Sequence, residues 1–135
     1  MSFVYLLDTN ILSEQLKPKP DLDVIEFLEK NEDVIATCSP ALHELQFGME
    51  SLEDGKKKKV LESYIHTIRD TIPIFDYTPE ASVWHAKERA KLIKAGKTPS
   101  FVDGMIASIA HTQSLKLVTK NAKDFKMYKV EVVSF

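Results

Sequence analysis

Four acids, Asp8, Glu44, Asp103 and Asp124, occupy positions from which carboxylates could meet after folding and do metal chemistry. Asp8 follows the apolar run Phe3-Val4-Tyr5-Leu6-Leu7, and Asp124 comes shortly after Leu115-Lys116-Leu117-Val118-Thr119. Both runs read as buried strands, and ligands in open α/β sheets gather beyond the carboxyl ends of strands. Asp8 is followed by Thr9 and Asn10, and the second strand ends at Thr119 with Asn121 close behind, so each end carries hydroxyl and amide groups beside the acid. Asp103 is the sharpest of the four. Its helical neighbours three, four and seven positions on are Ile106, Ala107 and Ala110, a face expected to be buried. A carboxylate there must be paired, protonated or bound to a cation. Gly104, inside a helix where glycine costs about 1 kcal/mol relative to alanine, suggests a close approach at that point. Glu44 lies on a helix with the small residues Ala41 and Gly48 along its own face.

Each acid also has an ordinary explanation. Asp8 or Asn10 could cap the helix that follows, and Glu44 could be a solvated helix residue. Ser100 with Asp103 three residues later could form a capping box, although Thr98-Pro99 offers a competing helix start that would move Asp103 into the second turn. Asp124 could belong to a polar turn. Taken together, four acids at such addresses with no arginine near them in sequence favour a hard-cation site. Oxygen-only ligands suit Mg²⁺, with Mn²⁺ as substitute. Such a site supports phosphate chemistry, because the metal lowers the pKa of a bound water, positions it for in-line attack and neutralises developing charge.

The elements that must position these acids follow from the pattern along the chain. After the first strand, a short helix through Ile11 and Leu12 is broken by Lys17-Pro18-Lys19-Pro20. Asp21 can cap a helix carrying Val24, Ile25, Phe27 and Leu28, and Val34-Ile35-Ala36-Thr37 reads as a second strand. Ser39-Pro40 predicts a helix with Leu42, Leu45, Met49 and Leu52 as its stripe, followed after Glu53-Asp54-Gly55 by a longer helix carrying Val60, Leu61, Tyr64, Ile65 and Ile68. A strand is expected at Ile72-Pro73-Ile74-Phe75. Thr78-Pro79 starts the next helix, with Val83, Ala86, Ala90 and Ile93 turned inward and Gly96 as its stop. Lys129-Val130-Glu131-Val132-Val133 reads as a last, edge strand. Helices alternating with strands throughout imply an α/β sandwich around a mainly parallel sheet.

With 135 residues, 44% hydrophobic and 28% charged, the chain suits one domain over 1–135. No apolar run approaches a bilayer crossing and no secretory signal opens the chain, so a cytoplasmic protein without membrane contact is expected. The lone Cys38 and four scattered histidines give no zinc spacing. A net charge of −2 argues against a nucleic-acid partner, but setting aside four metal-bound acids leaves the remainder at +2. Lys87, Lys91 and Lys94 form a candidate RNA-facing stripe, whereas Lys56-Lys57-Lys58-Lys59 reads as a solvated helix start. His43, His66, His85, His111 and Cys38 read as structural, and Trp84 as core or dimer contact.

At these residues the chain resembles the PIN-domain family and its VapC-like branch of toxin ribonucleases. The resemblance rests on Leu7-Asp8-Thr9-Asn10, on Leu42-His43-Glu44-Leu45 with Gly48 and Glu50, on Phe101-Val102-Asp103-Gly104-Met105-Ile106-Ala107, and on Val118-Thr119-Lys120-Asn121 with Asp124-Phe125. It implies a three-layer α/β/α fold and a Mg²⁺-dependent endoribonuclease in which Asp8, Glu44 and Asp103 ligate metal, with Asp124 as a further catalytic acid. It also implies that Thr9, Asn10, Thr119 and Asn121 orient carboxylates, water or phosphate. Members of this branch form homodimers, are inhibited by a co-expressed antitoxin in larger assemblies, and cut structured RNA such as tRNA. In one respect the chain departs from the pattern. Where some relatives carry a fourth acid directly after the threonine strand end, it has Asn121, with Asp124 three residues on, so Asp124 either touches metal or supports it from behind. Two other functions use similar acids. Aspartate-nucleophile phosphatases want a second aspartate where Asn10 stands. A non-catalytic module holding a metal or a basic peptide needs no nuclease chemistry at all.

Overall fold

A computed structural model describes residues 2–135. The strands are β1 (Tyr5–Leu7), β2 (Ile35–Cys38), β3 (Ile74–Phe75), β4 (Lys116–Thr119) and β5 (Val132–Ser134). The helices are α1 (Thr9–Leu12), α2 (Leu22–Lys30), α3 (Ser39–Glu50), α4 (Lys56–Thr71), α5 (Pro79–Lys94) and α6 (Phe101–Thr112). The sheet runs β3-β2-β1-β4-β5, and every pairing is parallel. This is the expected α/β sandwich, with β5 at an edge.

From β1 the chain proceeds to β2 and β3 on one side, then returns to place β4 and β5 on the other. The order therefore reverses between β1 and β4, and such a switch point opens a crevice at the strands' carboxyl ends. Leu7 pairs with Val118 there, so Asp8 and Thr119 emerge side by side. Leu6, Leu7, Leu117 and Val118 are buried on both faces of the sheet, as parallel strands covered by helices should be. Helix α6 is buried along Ile106, Ala107, Ile109 and Ala110, which fixes the orientation of its first turn and of Asp103.

Several local expectations hold. Asp21 caps α2 by accepting from the Asp23 amide at 2.9 Å, and Thr78 caps α5 by accepting from Ala81 at 3.1 Å. Gly96 takes the left-handed conformation, φ +81°, just past the end of α5.

Others do not. Helix α3 starts at Ser39 itself, with Cys38 as its uncapped boundary residue. Val60 faces solvent rather than the core. The inward face of α5 is Ala81, half-buried Trp84 and Leu92, and buried His85; Val83 is 55% exposed and Ile93 50%, with Ala86 and Ala90 also exposed. His85 finds a polar partner inside, its Nδ1 lying 2.8 Å from the Tyr77 hydroxyl, and Trp84 stacks on His111 at 4.4 Å. Partners outside the helix for these two aromatic side chains, half-buried Tyr77 and exposed His111, accompany a phase that the plain apolar count does not give. Lys87, Lys91 and Lys94 consequently lie beside the exposed apolar stripe and not opposite a buried one.

Candidate metal centre

Asp8 begins where β1 stops. Its backbone N–H still donates to the Val118 carbonyl at 3.0 Å, tying it to the sheet, while its side chain turns to cap α1 by accepting from the Thr9 amide at 2.8 Å. The capping explanation is therefore correct, but it uses only Oδ1. Oδ2 accepts from the buried Thr119 hydroxyl at 2.8 Å and from the Asn10 amide at 3.3 Å. Asn10 also donates to Thr119 Oγ1 at 3.4 Å, and its Oδ1 accepts from the Lys120 backbone N–H at 3.1 Å. Asn10 thus bridges the two strand ends. Thr9 donates its hydroxyl to Glu44 Oε1 at 2.7 Å, holding the α3 glutamate toward the same crevice. Asn121 contributes its backbone N–H, which donates to Thr119 Oγ1 at 3.0 Å, while its side chain is exposed.

Asp103 stands in the first turn of α6. Ser100 caps that helix by accepting from the Asp103 amide at 3.3 Å, so the helix starts at Ser100 and the alternative start at Thr98-Pro99 is excluded. The close approach expected at Gly104 is real, but its cause is internal. A Cβ there would lie 2.1 Å from His85 Nε2, so glycine admits the α5 histidine and not a ligand.

The electrostatics show that the acids share one environment. Burial pushes the Asp8 carboxyl above its ordinary value against the lowering effects of the Thr119 and Thr9 hydrogen bonds, and the charges of Glu44 and Asp124 push it further up. Asp103 is raised to about 6, first by burial and then by Asp8, Asp124 and Glu44. Asp8 and Asp103 thus each feel the charges of Glu44 and Asp124, and Asp103 also feels that of Asp8. Among the described residues, none of them forms a salt bridge. Nor does any group of three His, Cys, Asp or Glu side chains among the described residues stand at metal-ligating closeness. The crevice is one of uncompensated like charges that face each other without converging fully. The atoms it offers a ligand are carboxylate oxygens held by hydroxyl and amide hydrogen bonds, a set that suits a hard divalent cation. Cys38 ends β2 behind this crevice, with its thiol pushed up to about 12 by burial, and so supplies no thiolate. A separate cavity of about 360 Å³, lined by Leu7, Leu12, Leu28, Ile35, Tyr64 and Ile72 among others, includes none of the four acids.

Glu14 was not singled out by the sequence. It sits in a 3-10 turn over Ser13–Leu16, is 1% exposed, and accepts from Lys120 Nζ at 2.9 Å, from Lys17 Nζ at 3.1 Å and from the Asp21 amide at 3.0 Å. The Lys120 hydrogen bond, helped by the Asp21 amide, holds its carboxyl down at about 2. No local signal marked it, because its partner Lys120 lies 106 residues away in sequence.

Residues 5–131 match the PIN domain family. Ribonuclease VapC2 of Rickettsia felis is 33% identical over 125 residues, covering 91% of this chain and 90% of that protein. Toxin FitB of Neisseria gonorrhoeae is 32% identical over 127 residues, covering 89% of each. The crystal structure of FitAcB from Neisseria gonorrhoeae superposes with a TM-score of 0.89 at 29% identity, covering 97% of each chain. The motifs that carry the resemblance include the Asp8-Thr9-Asn10 and Thr119-Lys120-Asn121 segments joined by hydrogen bonds at the β1/β4 switch point, and the chain belongs to the PIN-domain family, in the branch that includes VapC and FitB.

Proposed function

We propose that this chain is a divalent-metal-dependent endoribonuclease and the toxin of a toxin–antitoxin pair. The observation that carries the reading is a crevice in which Thr119 and Thr9 hold the buried Asp8 carboxylate, Thr9 holds Glu44, and no basic side chain among the described residues pairs with Asp8, Glu44, Asp103 or Asp124. The names of the relatives, a ribonuclease and a toxin, agree with it.

Asp8, Glu44 and Asp103 would hold Mg²⁺ or Mn²⁺, with Asp124 supporting from the β4 exit. When bound, the cation supplies Lewis acidity that activates water and neutralises charge on a phosphodiester. The chain's own part is orientation. Thr119 and Asn10 fix the Asp8 carboxylate from one side and the Thr9 amide fixes it from the other, so its oxygens have one setting. Thr9 does the same for Glu44. Burial keeps Asp103 reluctant to carry charge until a cation is present, which couples its ionisation to metal uptake.

A second copy of the chain is the proposed occupant of the α5 outer face. Val83, Ala86, Ala90 and Ile93 form an exposed apolar stripe there, and the rim lysines Lys87, Lys91 and Lys94 remain open to an RNA backbone. Structured RNA such as tRNA is the proposed substrate, and an antitoxin covering the acidic crevice is the proposed inhibitor.

Purified chain incubated with total RNA and Mg²⁺ tests the activity. Cleavage should disappear with EDTA and in an Asp103→Asn variant. Cleavage that survives EDTA would defeat the metal mechanism, and a folded chain that takes up Mg²⁺ without cutting RNA would favour a binding module.

A further inference from the structure

Glu14 is more deeply buried than Asp8, yet it lies outside the acid crevice and no step of the proposed chemistry uses it. Its carboxylate holds Lys120 by the ammonium at 2.9 Å. The same lysine donates its backbone N–H to Asn10 Oδ1 at 3.1 Å. With its oxygen taken, Asn10 must present its NH₂ to Asp8 Oδ2, at 3.3 Å, and to Thr119 Oγ1, at 3.4 Å. Lys120 is thus gripped at both ends, and a continuous chain of polar contacts runs from Glu14 to the carboxylate of Asp8.

We propose that Glu14 is a positioning residue for the Asp8 metal-ligating carboxylate, acting through Lys120 and Asn10. The proposal rests on the metal reading above. Glu14 is buried while Lys120 is 27% exposed, and an ion pair, buried or exposed, gains little stability over well-packed apolar residues of the same volume, so a mere brace between the 3-10 turn and the β4 exit would not need one. What the pair adds is direction. It fixes the Lys120 backbone, hence which way the Asn10 amide faces, and it keeps the Lys120 ammonium engaged outside the acid crevice.

The full-length chain, stripped with EDTA, is titrated with Mn²⁺ by electron paramagnetic resonance, and the Asn10 side-chain amide is followed by NMR. Glu14→Gln and Lys120→Met should each weaken Mn²⁺ binding about 10-fold or more, the range expected when support behind a ligand is lost. The double variant should be no worse than either single one, because both break the same link. Lys120→Arg, which keeps the ion pair, should bind near the wild-type level. The Asn10 amide signals should move in the two weakened variants even without metal. Folded variants that bind Mn²⁺ normally and leave the Asn10 signals unmoved would reduce Glu14 to a brace and overturn the proposal. If Glu14→Gln does not fold, Lys120→Met carries the same test. A wild-type chain that takes up no Mn²⁺ would instead defeat the metal reading, and the Asn10 signals would still decide the role of Glu14.

Discussion

Gly104 and His85 face each other across the α5–α6 contact so closely that a methyl group on Gly104 would stand 2.1 Å from Nε2 and 2.7 Å from Cδ2 of the ring. The ring cannot easily retreat, because its other nitrogen is bound to Tyr77 and Phe101 lies against it at 4.8 Å. Gly104→Ala should therefore destabilise the fold. Overpacking costs about 1–3 kcal/mol, which outweighs the ~1 kcal/mol that alanine gains in a helix interior. Denaturant unfolding checks this, and removing the ring in a Gly104→Ala/His85→Ala double variant should recover part of the loss. A Gly104→Ala protein more stable than wild type would show that the two helices have room to part.

The raised Asp103 carboxyl makes a signed pH prediction. The folded metal-free protein keeps this group protonated up to about 6, whereas the unfolded chain releases the proton near 3.8. Between those values the folded state binds more protons, so this group's contribution to stability falls as pH rises through that window and levels off above it. The difference in melting temperature between wild type and Asp103→Asn, measured in EDTA, should therefore widen from pH 4 to pH 6 in favour of the asparagine variant. Adding Mn²⁺ above pH 6 should reverse the order. A pH-independent difference would mean that Asp103 is solvated like an ordinary surface acid.

The outer face of α5 leads to a prediction about assembly. Val83→Asp with Ile93→Asp places charge on the exposed apolar stripe without touching the acid crevice, since both side chains point away from the core. Sedimentation should show a dimeric wild-type chain and a monomeric variant of unchanged fold. A wild-type monomer at high concentration, or a variant that stays dimeric, would remove a second copy from this face.

The parts of this architecture that were legible in the sequence are those set by short, unambiguous signals. Leu6-Leu7 running into Asp8-Thr9-Asn10 and Leu117-Val118 running into Thr119 mark two buried strand ends that open on one crevice in a parallel sheet, but that the two strands are neighbours with the order reversing between them comes only from the fold. Asp21 and Thr78 announced their helices because a cap is a local hydrogen bond. Helix α5 was misphased because its interior side holds His85 and Trp84, whose polar atoms and ring faces find partners on other elements. No local pattern reveals such partners. Glu14 carries no sequence signal for the same reason, since Lys120 lies 106 residues away. A glycine inside a helix signals a close approach at Gly104, but that His85 is what approaches is set only by the packing of α5 on α6.

Whether the acids hold a divalent cation is decided by a crystal of the chain soaked in Mn²⁺ and measured at the manganese absorption edge. An anomalous peak is expected in the β1/β4 crevice, bonded to carboxylate oxygens of Asp8 and Asp103 at roughly 2.0–2.1 Å, the range for a small divalent cation on oxygen ligands, with Glu44 at or next to the ion. A crevice free of manganese at millimolar concentration, with these carboxylates turned to solvent or taken up by lysines, would contradict it.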